Sequence, residues 1–143
     1  MNVEPSFWAK IFFCIMCGVI VGLERQAHKK TTDIRMCVLI CLGTMTFIYL
    51  GTLLDGEKDS TRVLGQVVTG IGFLGAGAII NRQGLVVGLT SASVVWVLAA
   101  VGAAIGFGMY AVGIALSVVT VIVLTALQRL EIVTNKSKNP ESE

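Results

Sequence analysis

Residues 63–80, VLGQVVTGIGFLGAGAII, form an apolar run long enough to cross a bilayer, yet small residues stand where a lipid-facing helix would carry Leu and Ile. At about 100° per residue, Gly65, Thr69, Gly72 and Ala76 share one ridge, Gln66, Gly70 and Gly77 lie on the next, and Phe73 stands between them. Val67, Val68, Ile71, Leu74 and Ile79 cover the other side. Lipid tails are as apolar as side chains, so membrane helices associate through close backbone approach and dispersion contacts. The run therefore predicts a buried central helix with neighbours against its glycine ridges. Gly70, Gly72 and Gly75 also spell G-x-G-x-x-G, but that pattern signals nucleotide binding only between a strand and a soluble amphipathic helix. Inside an uninterrupted apolar run it reads as packing.

With 143 residues, 55% hydrophobic and 14% charged, the chain is too apolar for one small soluble core. The fold class expected is all-α, a polytopic membrane bundle of about five transmembrane helices dissolved in the lipid bilayer. The net charge of +2 is scattered over loops and gives no nucleic-acid footprint. The first apolar run lacks a basic start and an A-x-A-like exit, so no cleavable signal peptide is expected. Cys14, Cys17, Cys37 and Cys41 all lie inside apolar runs. Cys14-x-x-Cys17 has the spacing of a metal or redox pair, but buried thiols also serve as small packing residues, and no cofactor is expected there.

The spans are read at residues 7–23, 36–54, 63–80, 88–106 and 110–127, with a polar, disordered cytoplasmic tail at 129–143. In the first, Trp8 and Lys10 suit the interface, a ring and a snorkelling amine. Lys10, Cys14, Gly18, Val21 and Arg25 share a face, and Gly18-x-x-x-Gly22 offers a close-contact patch. Glu24-Arg25-Gln26 closes that helix, and two readings stand: a solvated helix end, or an acid and a base held at the bundle's mouth. The second span carries Gly43, Thr44 and Thr46. The acidic loop 55–62 leads into the third, with Asp59 or Ser60 as a candidate N-cap and Asp59 three residues from Arg62. A tight loop at 81–87 precedes the fourth span, whose Thr90, Ser91 and Ser93 can bond back to the preceding carbonyls. Trp96 follows, then a thin half with Gly102 and Gly106. Spans three and four are the thinnest and are expected to form the bundle's centre; the fifth, rich in Val, Ile and Leu, is expected to face lipid. Lys and Arg are eight on one side (Arg25, Lys29, Lys30, Arg35, Arg82, Arg129, Lys136, Lys138) and two on the other (Lys58, Arg62). The positive-inside rule then places the amino terminus outside and the carboxyl tail in the cytoplasm.

These residues resemble the MgtC/SapB family of bacterial inner-membrane proteins. The likeness rests on GLERQ at 22–26, Arg35 at the second span, Asp59 with Arg62 and Gln66, VVTGIGFLGAGAI at 67–79, GLTSA at 88–92 with Trp96, and GFGMY at 106–110. Asp33-Ile34 departs from the family's usual Gly-Leu, and Ser91 from a common Thr. Many members continue into a soluble cytoplasmic domain, and this chain stops soon after the fifth span. The resemblance implies a link to growth at low magnesium, to survival inside macrophages, and to membrane energetics through contact with the ATP synthase.

Three function classes are weighed. A membrane interaction protein, as a homo-oligomer or docked to another membrane protein, is supported by glycine-lined faces beyond what short helices need. A Mg²⁺ pathway needs oxygen ligands, one or two of them carboxylates; Glu24 and Asp59 are weak candidates, and Arg25, Arg35 and Arg62 lie beside the acids. An enzyme is not expected, because the only histidine is His28 and no nucleophile, base and orienting residue converge.

Overall fold

The computed structural model describes residues 4–30, 32–55, 57–82 and 85–138, with backbone alone at 55, 57–60, 82 and 130–138. Five helices follow one another: α1 (Pro5–Ala27), α2 (Ile34–Asp55), α3 (Glu57–Gly77), α4 (Leu89–Gly106) and α5 (Tyr110–Lys138). Between α3 and α4 the chain makes an antiparallel hairpin, β1 (Ile80–Arg82) with β2 (Leu85–Val87), pairing Ile80 with Val87. The expected helix over 63–80 therefore ends three residues early, and part of the expected loop is a strand pair.

Local chemistry sets the boundaries. Pro5 opens α1 at a position whose N–H would be unbonded in any case. Asp33 caps α2, its Oδ1 accepting from Met36 N at 2.8 Å. At the far end of α4, Met109 N donates to Ala104 O at 2.8 Å and Gly108 N to Ile105 O at 2.9 Å. This Schellman closure needs a left-handed residue, which Gly108 supplies at φ +81°. α3 begins at Glu57, so Asp59 and Ser60 fall inside its first turn and neither is the N-cap.

Successive helices run antiparallel. Phe7 stacks near Tyr49 and Phe13 near Tyr110, each at 4.8 Å, at one end; a Cβ on Gly22 would lie 2.6 Å from Ile34 Cα at the other. α4 touches every other helix and forms the core, with Val94, Val95, Leu98, Val101 and Ile105 buried. Glycine makes three seams thin: Gly18 against Val38 between α1 and α2, Gly102 and Gly106 against Thr44 and Ile48 between α2 and α4, and Gly113 against Ile105 between α4 and α5. A Cβ at any of these would sit 2.5–2.8 Å from its nearest atom. The thiols belong to the same seams, Cys14 Sγ donating to Cys41 O at 3.6 Å and Cys41 Sγ to Leu98 O at 3.5 Å.

Two expectations change. α4 is the centre, but α3 is not: it packs along one side of the bundle on α2 and α4, and Ile71 is the one buried residue among its described side chains. Its Gly65, Gly70, Gly72 and Gly77 have nothing within 4 Å of a built Cβ, while Gly75 touches Ala92 at ordinary distance. Four helices are long and apolar enough to cross a membrane by themselves, and α3 is not among them, since its glycines, Gln66 and charged start lower its hydropathy. The second change is at the carboxyl end, where α5 stays helical to Lys138 through part of the expected disordered tail.

Candidate functional site

The polar residues singled out by the sequence fall into three places. The first is the corner where α1 meets α2. Arg25 is buried and its Nε donates to Glu24 Oε2 at 2.5 Å, with both side chains almost fully covered. His28 Nδ1 sits 3.1 Å from Glu24 Oε1 and 2.9 Å from Glu24 O. Arg25 Nη1 and Thr32 Oγ1 have no hydrogen-bond partner among the described residues, and a buried donor left so costs about 1–3 kcal/mol. Of the two readings of the helix end, the solvated one fails for Glu24 and Arg25, which lie inside; Gln26 is exposed.

The second place is a cleft of about 830 Å³ between α2 and α3. Met36, Leu39 and Phe47 form one wall; Arg62, Gln66 and Leu74 stand on the other. Gly43 and Gly70 hollow its middle, each with open space where a side chain would begin. Arg35 and Asp33 mark one mouth, their side chains 3.9 Å apart and exposed. The structure thus places Arg35 in the same trough as Arg62 and Gln66, toward the opposite end of it. The side chain of Asp59 lies outside the described residues. Thr90 is exposed, and Trp96 lines a smaller cavity of about 290 Å³ on the seam of α3 and α4.

The third place was missed in the sequence. Lys10 does not snorkel outward but turns into the bundle, where Nζ donates to Gly106 O at 2.7 Å and Ile105 O at 3.2 Å. The rings of Tyr49 and Tyr110 flank it, each centroid 5.8 Å away. The ammonium thus binds buried carbonyls at the negative end of α4 and joins four helices at one point. The signal was present: Lys10 shares its helical face with Cys14, Gly18, Val21 and Arg25, and all five are buried.

As for metals, the described residues hold no group of three or more His, Cys, Asp or Glu side chains placed to hold an ion. Glu24 is engaged by Arg25, and Asp33 at the cleft mouth stands beside Arg35. This donor set does not supply the clustered oxygen ligands that Mg²⁺ prefers.

The model of the MgtC family matches residues 11–133. The chain belongs to the MgtC family. Among curated relatives of this MgtC-family chain, it is 42% identical to the "Putative magnesium transporter YhiD" of Escherichia coli (strain K12) over 84% of the chain and 59% of the relative. It is 38% identical to "Protein MgtC" of Brucella abortus (strain 2308), over 80% of the chain and 48% of the relative. To "Protein SrpB" of Synechococcus elongatus it is 29% identical, over 85% of the chain and 75% of the relative. The chain thus spans about half to three fifths of the length of the first two relatives. No solved structure matches it. Family membership and four apolar helices of spanning length make this a membrane protein.

Proposed function

We propose that this MgtC-family protein serves magnesium homeostasis as a non-catalytic interaction protein of the bacterial inner membrane, docking a second membrane segment on α3. The observation that carries the reading is the open ridge of Gly65, Thr69, Gly72 and Ala76, all exposed, with nothing near its glycines. Gly18, Gly22, Gly102, Gly106 and Gly113 mark seams already closed by a helix; on α3 the same residue type faces outward, where close helix approach is still to be used. The link to magnesium is taken from the names of the E. coli and Brucella relatives. The low-magnesium and intramacrophage setting, and an effect on membrane energetics through the ATP synthase, come from the family resemblance. The excess of Lys and Arg at the α1–α2 corner, the hairpin and the end of α5 orients that face to the cytoplasm, with the amino terminus outside.

A photocross-linking residue at position 72 in native membranes is expected to capture a neighbour, either a second copy or another membrane protein. The same residue at Phe12, on the exposed side of α1, is the control and is expected to capture none. Gly72→Leu should abolish rescue of growth at low magnesium in a deletion strain while the protein still accumulates. No capture at 72 together with full rescue by Gly72→Leu would overturn the reading. The competing reading, a Mg²⁺ pathway, draws on the printed name of the E. coli relative. Magnesium flux in proteoliposomes of the pure protein, lost in Glu24→Gln, would put it first.

A further inference from the structure

We propose that the cleft between α2 and α3 is a seat for one glycerophospholipid, its phosphate held by Arg62, its ester region beside Gln66 and an acyl chain lying along Gly70 and Leu74. Arg62, Gln66, Gly70 and Leu74 recur every four residues, so they form one ridge of α3, and all four line the cleft. Read from the start of the helix, that ridge passes from charged to polar, then small, then apolar. A phospholipid presents the same order from headgroup to tail. The first six residues of α3, EKDSTR, fix this end at the headgroup level. Gln66 then stands about 6 Å deeper, at 1.5 Å of rise per residue, where an amide in a largely apolar trough needs a polar partner.

The opposite wall fits a chain better than a helix. Met36, Leu39 and Phe47 are bulky, which keeps a second backbone at a distance. The small residues that would admit a helix face the other way, on the ridge of Gly65 and Gly72. Gly43 and Gly70 face the trough with nothing within 4 Å, so the cleft is deepest at mid-height, where the tail would lie. The site is independent of the docking ridge proposed above.

The test is native mass spectrometry of the full chain in mild detergent micelles, with phosphatidylglycerol added. One lipid per protomer is expected to remain bound. Glycerol 3-phosphate, which has the phosphate without the tails, should neither bind nor compete, and diacylglycerol, which has the tails without the phosphate, should be retained about tenfold less. Arg62→Gln should lower phosphatidylglycerol retention about tenfold as well, the effect of losing one charged hydrogen bond. Gly70→Leu and Gly43→Leu, each filling open space, should expel the lipid while circular dichroism stays that of wild type. Gly72→Leu, on the docking ridge, should leave lipid retention unchanged. The proposal is overturned if folded Gly70→Leu or Gly43→Leu retains lipid like wild type, if glycerol 3-phosphate competes, or if the cleft proves to hold a second copy, seen as a dimer that Gly70→Leu breaks into monomers.

Discussion

Lys10 and Arg25 are two cations on one face of α1, fifteen residues apart in sequence and held by different chemistry. Lys10 is held by carbonyls and rings, with no carboxylate paired to it among the described residues; Arg25 is held by the neighbouring Glu24. Removing the first strips two carbonyls at the end of α4 of a charged donor, so Lys10→Met is expected to lower stability by about 1.5–3 kcal/mol. Thermal unfolding of the detergent-solubilised protein reads that loss, and an unchanged midpoint would refute the lock. Removing the second leaves the buried Glu24 carboxylate with the His28 ring but no guanidinium beside it: Arg25→Ala should cost about 3–5 kcal/mol, while Glu24→Gln with Arg25→Met should recover part of it. The same unfolding measurement separates the two, because a solvated pair would give a fraction of a kcal/mol. The burial of Arg25 could be read from its place on a face with Gly18 and Cys14. The burial of Lys10 on that same face was legible too, but its partners were not, since its acceptors are backbone carbonyls 95 and 96 residues away, and these leave no mark in side-chain patterning.

Glycines divide the helices into closed and open faces. Gly18, Gly22, Gly102 and Gly106 stand at backbone approaches that a Cβ would violate, and Gly72 stands at none. Gly18→Leu is therefore expected to destabilise the bundle by at least about 1–3 kcal/mol, the cost of forcing carbon into a packed interior. Gly72→Leu should leave the protomer's unfolding midpoint unchanged or slightly raised, because a helical glycine gives way to a better helix former. The pair of midpoints checks the assignment of faces. Residue sizes marked each helix as one that packs, and the Gly18-x-x-x-Gly22 patch of α1 was legible in that way. They did not tell which glycines meet a neighbour within the chain, since small residues admit a helix from the same protomer or from another with equal ease. That is why the centre of the bundle was read as α3 and α4 together when α4 holds it alone.

At the level of the whole molecule, five antiparallel helices place the start of α1 and the end of α5 on opposite faces, and most basic residues of the loops collect on one of them. The helix count and the membrane setting followed from apolar runs and charge. The cleft did not, because it depends on how far apart α2 and α3 stand, a quantity set by α4 beneath them. One further consequence lies in how lightly α3 is fastened. With Ile71 as its one buried described side chain, this arm should be the first to exchange its amide hydrogens when the detergent-solubilised protein is warmed, while α1, α2 and α4 stay interlocked. Whatever settles against α3 would then slow that exchange, so that an isolated protomer is the fragile form and an occupied one the hardened form.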